Sequence, residues 1–349
     1  MSSDSNRDAI SAIGECCQLR AGHLHNGGVT RLPHSAPQVV VLGDLVPDLV
    51  LRGDVVPRFG QAEQLLSAAE MVVGGSGAIV ACGLARLGVR TALVASVGDD
   101  AFGQLMVDRV RAAGVDTRWV QVHPYLPTGL TVILSAGDRA VLTFAGALES
   151  LVLDEEVQSL VNSAKHVHSA SFFLMPGAAD RLGESFRRAR AHGVSTSLDT
   201  NWDPAERWGG VKEVFPHVDY WLPNTAELLA VLGVAGSPDD SAILQRAAAP
   251  VHQMGVSVVL KAGADGGRYL GSTGEVLTSP ALAVEAVDTT GAGDSFDAGF
   301  LAGLVAGLDH QTCLEWAAAC GSLSVRGPGG TGAQPTLAEL RTTLAATSR

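Results

Sequence analysis

A glycine-rich turn leading straight into a helix of small residues places the tightest constraint on how this chain folds. It runs Asp288-Thr289-Thr290-Gly291-Ala292-Gly293-Asp294-Ser295-Phe296-Asp297-Ala298-Gly299. Ala298, Gly299, Ala302, Gly303 and Ala306 recur at helical spacing, so this helix is expected to approach a sheet very closely. A helix start leaves backbone N–H groups without internal partners and carries partial positive charge, which suits phosphate oxygens. Gly291 and Gly293 clear side chains from the path of such an anion. Asp294 stands where the anion would sit, and a carboxylate beside polyphosphate is repelled unless it does work there. The work that fits is accepting the proton of a hydroxyl that attacks the terminal phosphate. An acid in the first turn also serves as a plain helix cap, and the tetrapeptide alone does not separate the two readings.

The first 37 residues, rich in Ser, Gly and His with weak periodicity, are expected to be a disordered extension. From the β-branched run at 39–43 onward, strands and helical patterns alternate. Helices are expected near 78–87 and 102–113, and strands near 91–97, 166–170, 195–198, 220–222 and 256–261. That alternation implies an α/β fold with a mainly parallel sheet covered on both faces. Residues 49–73 and 120–145 break the rhythm with short alternating stretches, and Ser135-Ala136-Gly137-Asp138 reads as a hairpin turn. Both regions are expected to supply antiparallel strands of a small lid.

With 349 residues, 46% of them hydrophobic, the chain can bury a large core. A net charge of −12 and the lack of a basic run argue against nucleic acid as the main partner. No apolar run approaches the ~20 residues that cross a bilayer. Met1-Ser2-Ser3-Asp4-Ser5-Asn6 lacks the features of a secretory signal, so no membrane partner and a cytoplasmic location are expected. The cysteines (Cys16, Cys17, Cys82, Cys313 and Cys320) are odd in number and contain no C-x-x-C. The last three lie in apolar helical patterns and are expected to be packed; Cys16 and Cys17 are assigned no function.

Three more constellations carry polar chemistry. Gly43-Asp44-Leu45-Val46-Pro47-Asp48 follows the first strand, where ligands of open α/β sheets sit. A carboxylate there can accept hydrogen bonds from two hydroxyls of a ligand; a surface turn is the plainer alternative. Gly74-Gly75-Ser76-Gly77-Ala78 opens a helix but is not G-x-G-x-x-G, because Val80 stands at the third glycine position. Asn224-Thr225-Ala226-Glu227 opens another helix with the spacing of a capping box. Weaker signals are Lys261-Ala262-Gly263, a strand end whose glycine turn can line a nucleotide pocket, and the pair His166 and His168. No third ligand accompanies the histidines, which read as core or edge residues.

The Asp288–Gly299 run, the Gly74-Gly75 pair and Asn224-x-x-Glu227 resemble signatures of the ribokinase-like (PfkB) carbohydrate kinase family, over about residues 38–335. Residues 336–349 remain as a C-terminal helix or tail. The resemblance implies a three-layer α/β sandwich with a mainly parallel central sheet and a small antiparallel β lid. It implies ATP-dependent phosphorylation of a small ribose- or ketohexose-like sugar, with Asp294 as catalytic base and Gly291, Ala292 and Gly293 as anion hole. By the same resemblance Asp48, Asp44, Gly74 and Gly75 contact the sugar. Asn201 belongs with them, within Asp199-Thr200-Asn201-Trp202-Asp203-Pro204, which is similar to the family's D-x-N-x-R segment. Asn224 and Glu227 would order Mg2+ around the ATP phosphates, with Lys261 and Gly263 beside the nucleotide. Asp288 and Thr290 match positions that hold a monovalent cation such as K+ in some members. Two departures stand out: Ile79 replaces a common asparagine four residues after the second glycine, and Asp203 replaces the arginine of D-x-N-x-R.

The nearest rival is an adenosine-type nucleoside kinase on the same fold. A non-catalytic sugar-binding regulator should have lost the base or the glycines, and both are present. A P-loop kinase is excluded because none of the lysines (Lys165, Lys212, Lys261) follows a glycine. A nicotinamide dehydrogenase is disfavoured because no G-x-G-x-x-G follows the first strand. An exposed apolar lid face would favour a homodimer.

Overall fold

A computed structural model describes residues 36–136, 138–236 and 241–347. The expected extension at 1–37, except Ala36 and Pro37, lies outside the described residues, as do Cys16 and Cys17. The strands are β1 (Val39–Leu42), β2 (Val46–Gly53), β3 (Leu66–Gly74), β4 (Thr91–Val94), β5 (Ser96–Gly98), β6 (Gln121–His123), β7 (Leu130–Ala136), β8 (Asp138–Phe144), β9 (His166–Ser169), β10 (Ser195–Leu198), β11 (Tyr220–Trp221), β12 (Ser257–Lys261), β13 (Gly267–Leu270) and β14 (Val276–Ser279). The helices are α1 (Ser76–Arg86), α2 (Ala101–Ala112), α3 (Glu155–Asn162), α4 (Pro176–Ala191), α5 (Val211–Val214), α6 (Thr225–Leu232), α7 (Ser241–His252), α8 (Ala292–Val305), α9 (His310–Ser324), α10 (Gly329–Gly332) and α11 (Leu337–Thr347).

Eight strands form the main sheet in the order β14-β13-β12-β11-β10-β9-β1-β4, parallel from β4 through β12 and closed by the antiparallel β13 and β14. β1 shows why its strands read as unbroken apolar runs. Val39 and Val41 join the core under α1, α8 and α9, whereas Val40 and Leu42 join the core under α3 and α4. Both faces are covered, so both sets of alternating side chains must be apolar.

The small residues of α8 do serve close packing, but against helices rather than the sheet. A Cβ on Gly299 would lie 2.6 Å from the Trp316 carbonyl of α9, and one on Gly83 of α1 would lie 2.7 Å from the Ala298 Cβ. Cys82, Cys313 and Cys320 are buried in this layer. α11 buries Leu340 in the same core.

A second sheet, ordered β3-β2-β7-β8, forms the lid. Its outer pairings are antiparallel, while β2 and β7 at its centre run parallel. Period-two alternation alone does not distinguish the two directions. The expected strand at 91–97 divides: β4 stays in the main sheet, and β5 pairs with β6 in a separate two-stranded ribbon. Residues 121–123 therefore lie outside the lid, contrary to the expectation for 120–145. On β2, Asp48, Val50 and Arg52 share one face, and their partners on β7 are Thr131, Ile133 and Ser135.

Candidate active site

Gly291 caps the start of α8 at φ 70, and no side chain caps that end. The positive φ suits glycine, and a Cβ there would lie 2.6 Å from the Gly330 Cα. At this start the Ala292 N–H donates to the Thr289 carbonyl at 3.3 Å, and Gly293 follows it in a first turn whose partial positive charge suits an anion. Ile79, the departure from the common asparagine, presses on the same turn and packs against Gly330.

Three acids converge near this turn. Asp294 is only 8% exposed, and its pKa rises to about 7. Burial is the main cause; Asp199 and Asp44 add to it, while Lys261 and a hydrogen bond with Ser76 oppose it. Asp48, on the lid side, is also raised to about 7 by burial and by the charges of Asp44 and Asp294, against Thr131 and Arg139. A Cβ on Gly74 would overlap the Asp48 carboxylate, so glycine is needed for that acid to lie across β3. Asp44 accepts the Gly77 N–H at 2.9 Å, and burial raises its pKa despite that bond. The 74–77 segment borders all three acids: Gly74 lies against Asp48, Gly77 donates to Asp44, and Ser76 hydrogen-bonds Asp294.

Deeper in the cleft, Asp199, Asp294 and Asp297 bring carboxylate oxygens within 4.8 Å of one another. The Lys261 ammonium already serves this group, donating to Asp199 at 2.6 Å and Asp297 at 3.2 Å. Burial pushes Asp297 well up, where it hydrogen-bonds Asp199; Asp199 is held low by Lys261 in spite of its own burial. The group is a lysine–acid cluster and does not suit a directly bound divalent ion. Lys261 was expected beside the nucleotide. Its ammonium pairs with the two acids, and both stem and ammonium border the turn, Cδ 3.3 Å and Nζ 3.7 Å from where a Gly293 Cβ would sit.

Asn224 and Glu227 form the reciprocal capping box of α6, with bonds of 2.9 and 2.8 Å. Glu227 is nonetheless buried, with its pKa raised to about 7 by burial and by Asp199. One carboxylate and one amide fit a water-rich Mg2+ shell, which needs few direct protein ligands. Asn201 adopts φ 52 and spends its side chain internally. Its oxygen accepts the Ser171 N–H at 2.7 Å, and its amide donates to Ser76 at 3.0 Å and Asp199 at 3.3 Å. Asp203 caps its own loop by accepting N–H groups from Ala205, Arg207 and Trp208.

Beside the anion turn lies a cavity of about 560 Å³ bounded by Lys261, Gly263, Thr289, Gly293 and Phe296, with an apolar wall from Ala281 to Val284. A smaller cavity of about 260 Å³ is lined by the lid residues Arg52, Ser135 and Arg139 together with Asp288 and Thr290. His166 and His168 are buried, bridged by Ser197, and kept neutral by burial, which lowers them to about 3 and 4.

Sequence reasoning missed Arg52, Arg139, Ser76 and Asp297 as neighbours of the site. Two of them left a signal: Arg52 lies four residues from Asp48 on one strand face, and Asp297 lies three residues from Asp294 on one helix face.

The family model described as pfkB family carbohydrate kinase matches residues 36–337. An ATP-dependent ribose-1-phosphate kinase from Halopiger xanaduensis is 33% identical over 82% of this chain and 91% of its own length. Ribokinase from Arabidopsis thaliana, solved with ribose and ATP, is 26% identical and superposes with a TM-score of 0.78 over 88% of this chain and 99% of its own. An E. coli protein solved in complex with ATP and Mg2+ is also 26% identical, with a TM-score of 0.76 over 89% and 99% of the two chains. Among the described residues, no helix is long and apolar enough to cross a membrane.

Proposed function

The chain belongs to the pfkB family of carbohydrate kinases, and we propose that it uses ATP to phosphorylate one hydroxyl of a small ribose- or ketohexose-like sugar, with Asp294 as general base. The observation that carries this reading is the position of Asp294: a buried acid with a pKa of about 7, in the first turn of a helix whose N-terminus has no side-chain cap. A base of that pKa is half ionised near neutrality and can take up a proton as it is lost by the attacking alcohol. The amides of Gly291, Ala292 and Gly293 are aimed at the charge that builds on the transferred group. Asp48 and Asp44 accept hydrogen bonds from the sugar, which fixes the reactive hydroxyl near Asp294.

The ATP base and ribose fit the apolar cavity beside Gly263 and Phe296, with the phosphates directed to the α8 amides. Mg2+, ordered by Asn224 and Glu227, would neutralise the phosphate charge. The lid excludes water, which otherwise competes as acceptor. Lid residues Leu49, Leu51, Val132, Leu134 and Leu142 lie on the face away from Asp48, and this apolar face pairs with a second copy of the chain.

A nucleoside acceptor is the second reading, favoured by the apolar Ile79 beside the anion turn. A panel of ribose, ribose-1-phosphate, ketohexoses and adenosine, assayed for ADP release with ATP and Mg2+, separates the two. ADP release with none of them would remove the reading as a whole, and NMR of the product identifies the phosphorylated oxygen.

A further inference from the structure

The side-chain oxygens of Asp288 and Thr290, the candidate ligands for a monovalent cation, are taken up by donors beside the smaller cavity. One Asp288 oxygen accepts the Thr290 N–H at 2.9 Å; the other accepts the Gly329 N–H at 3.0 Å and the Arg52 guanidinium at 3.2 Å. The Thr290 hydroxyl also hydrogen-bonds Asp288, and its oxygen lies 3.5 Å from an Arg139 guanidinium nitrogen. A cation needs free lone pairs, and a K+ on Asp288 would also stand close to a guanidinium of like charge. These residues do not fit a bound monovalent cation.

We propose that Arg52 supplies in this chain the positive charge that a monovalent cation would supply at the Asp288 loop, making activity independent of K+. The proposal rests on the reading of Gly291–Asp294 as the phosphoryl site. Three relationships support it. Arg52 belongs to the lid strand that carries Asp48, on the same face, so its guanidinium ties the lid to the loop that precedes the anion turn. Glu70, on the neighbouring strand β3, holds the other end of that guanidinium at 3.1 Å. Asp288 in turn fixes Gly329, whose neighbour Gly330 packs on Gly291. Charge placed at Arg52 is therefore passed through Asp288 to the geometry of the helix start, and Arg52 acts as a positioning residue.

The test compares wild type, Arg52→Gln and Arg52→Lys in KCl, NaCl and tetramethylammonium chloride at equal ionic strength, by ADP release and by thermal melting. Wild type is expected to vary less than about 2-fold among the salts and to melt at the same temperature in each. Arg52→Gln should lose about 10-fold or more in kcat and regain part of it in KCl only, with a KCl-specific rise in melting temperature. Arg52→Lys, which keeps the charge, should stay insensitive to the salt. A wild-type protein activated or stabilised specifically by K+ overturns the proposal, as does an Arg52→Gln protein that responds to no salt. If Arg52→Gln does not fold, the wild-type series and Arg52→Lys decide. Absence of ADP release from wild type in every salt counts against the phosphoryl-site reading, and the melting series still judges Arg52 by itself.

Discussion

The Lys261 ammonium sits 2.6 Å from an oxygen of Asp199 and 3.2 Å from one of Asp297, within a group of carboxylates that includes Asp294. Both partner acids have no side-chain exposure; Asp199, which the ammonium holds low, depends on that cation for compensation, whereas burial pushes Asp297 well up. Breaking a buried pair by removing one partner leaves uncompensated charge and costs about 3–5 kcal/mol. Lys261→Met should lower stability by that amount in urea unfolding. A loss of well under 1 kcal/mol would mean the acids are neutral without the lysine.

Asp294→Asn should retain sugar and ATP affinity while turnover falls about 10²–10⁴-fold, the range for a lost general base. Isothermal titration with each substrate, beside initial rates, separates the two effects. Near-normal turnover would remove Asp294 from the chemistry.

The same residue sets a pH dependence. Its pKa of about 7 makes the base protonated in acid, so kcat/KM should rise through that pH and level off above it. Stability should move in the opposite direction. The folded protein holds its proton between the ordinary carboxylate value of 3.8 and about 7, whereas the unfolded chain releases it. This contribution is full below 3.8, falls as pH rises from there, and is lost once pH has passed about 7. Asn cannot ionise, so Asp294→Asn should be more stable than wild type at pH 8, by an amount of order 1–4 kcal/mol. Melting temperatures of the two proteins that stay parallel from pH 5 to pH 8 would contradict the raised pKa.

Some of this site was readable in the chain and some was not, for physical reasons. Gly291 to Asp294 are contiguous, so turn, helix start and acid could be assembled from local rules. Asn224 and Glu227 illustrate a limit: their spacing satisfies a capping box and a Mg2+ role equally, and the structure makes the capping box. Lys261 ends a strand, a place where lysines usually meet water, and only the long-range approach of Asp199 and Asp297 buries it. Arg52 and Asp288 lie 236 residues apart in sequence, and no periodicity links them. The parallel β2–β7 pair at the centre of the lid was equally hidden, because alternation reports which face a residue occupies and not the direction of its neighbour.

Gly74 makes room for Asp48, the carboxylate proposed to hold the sugar, because any Cβ there would occupy its space. Gly74→Ala should push Asp48 off β3 and raise the KM for the sugar about 10-fold or more, with the KM for ATP little changed. An equal rise in both constants would instead indicate general distortion of the cleft.

The lid offers the last test. Leu142 and Phe144 of β8 are 58% and 56% exposed, and Leu142 shares a face with Val132, Leu134, Leu49 and Leu51. A sheet face this apolar is costly to leave in water, and a two-fold pairing of lids would cover it with an identical patch. Sedimentation velocity should therefore show a dimer for the full chain. Leu142→Asp places a charge on the exposed β8 edge of that patch without touching Asp48, so it should yield a monomer that keeps its circular dichroism spectrum. A wild-type monomer at micromolar concentration would leave the face without the partner assigned to it, while a dimer that survives Leu142→Asp would place the interface elsewhere on the molecule.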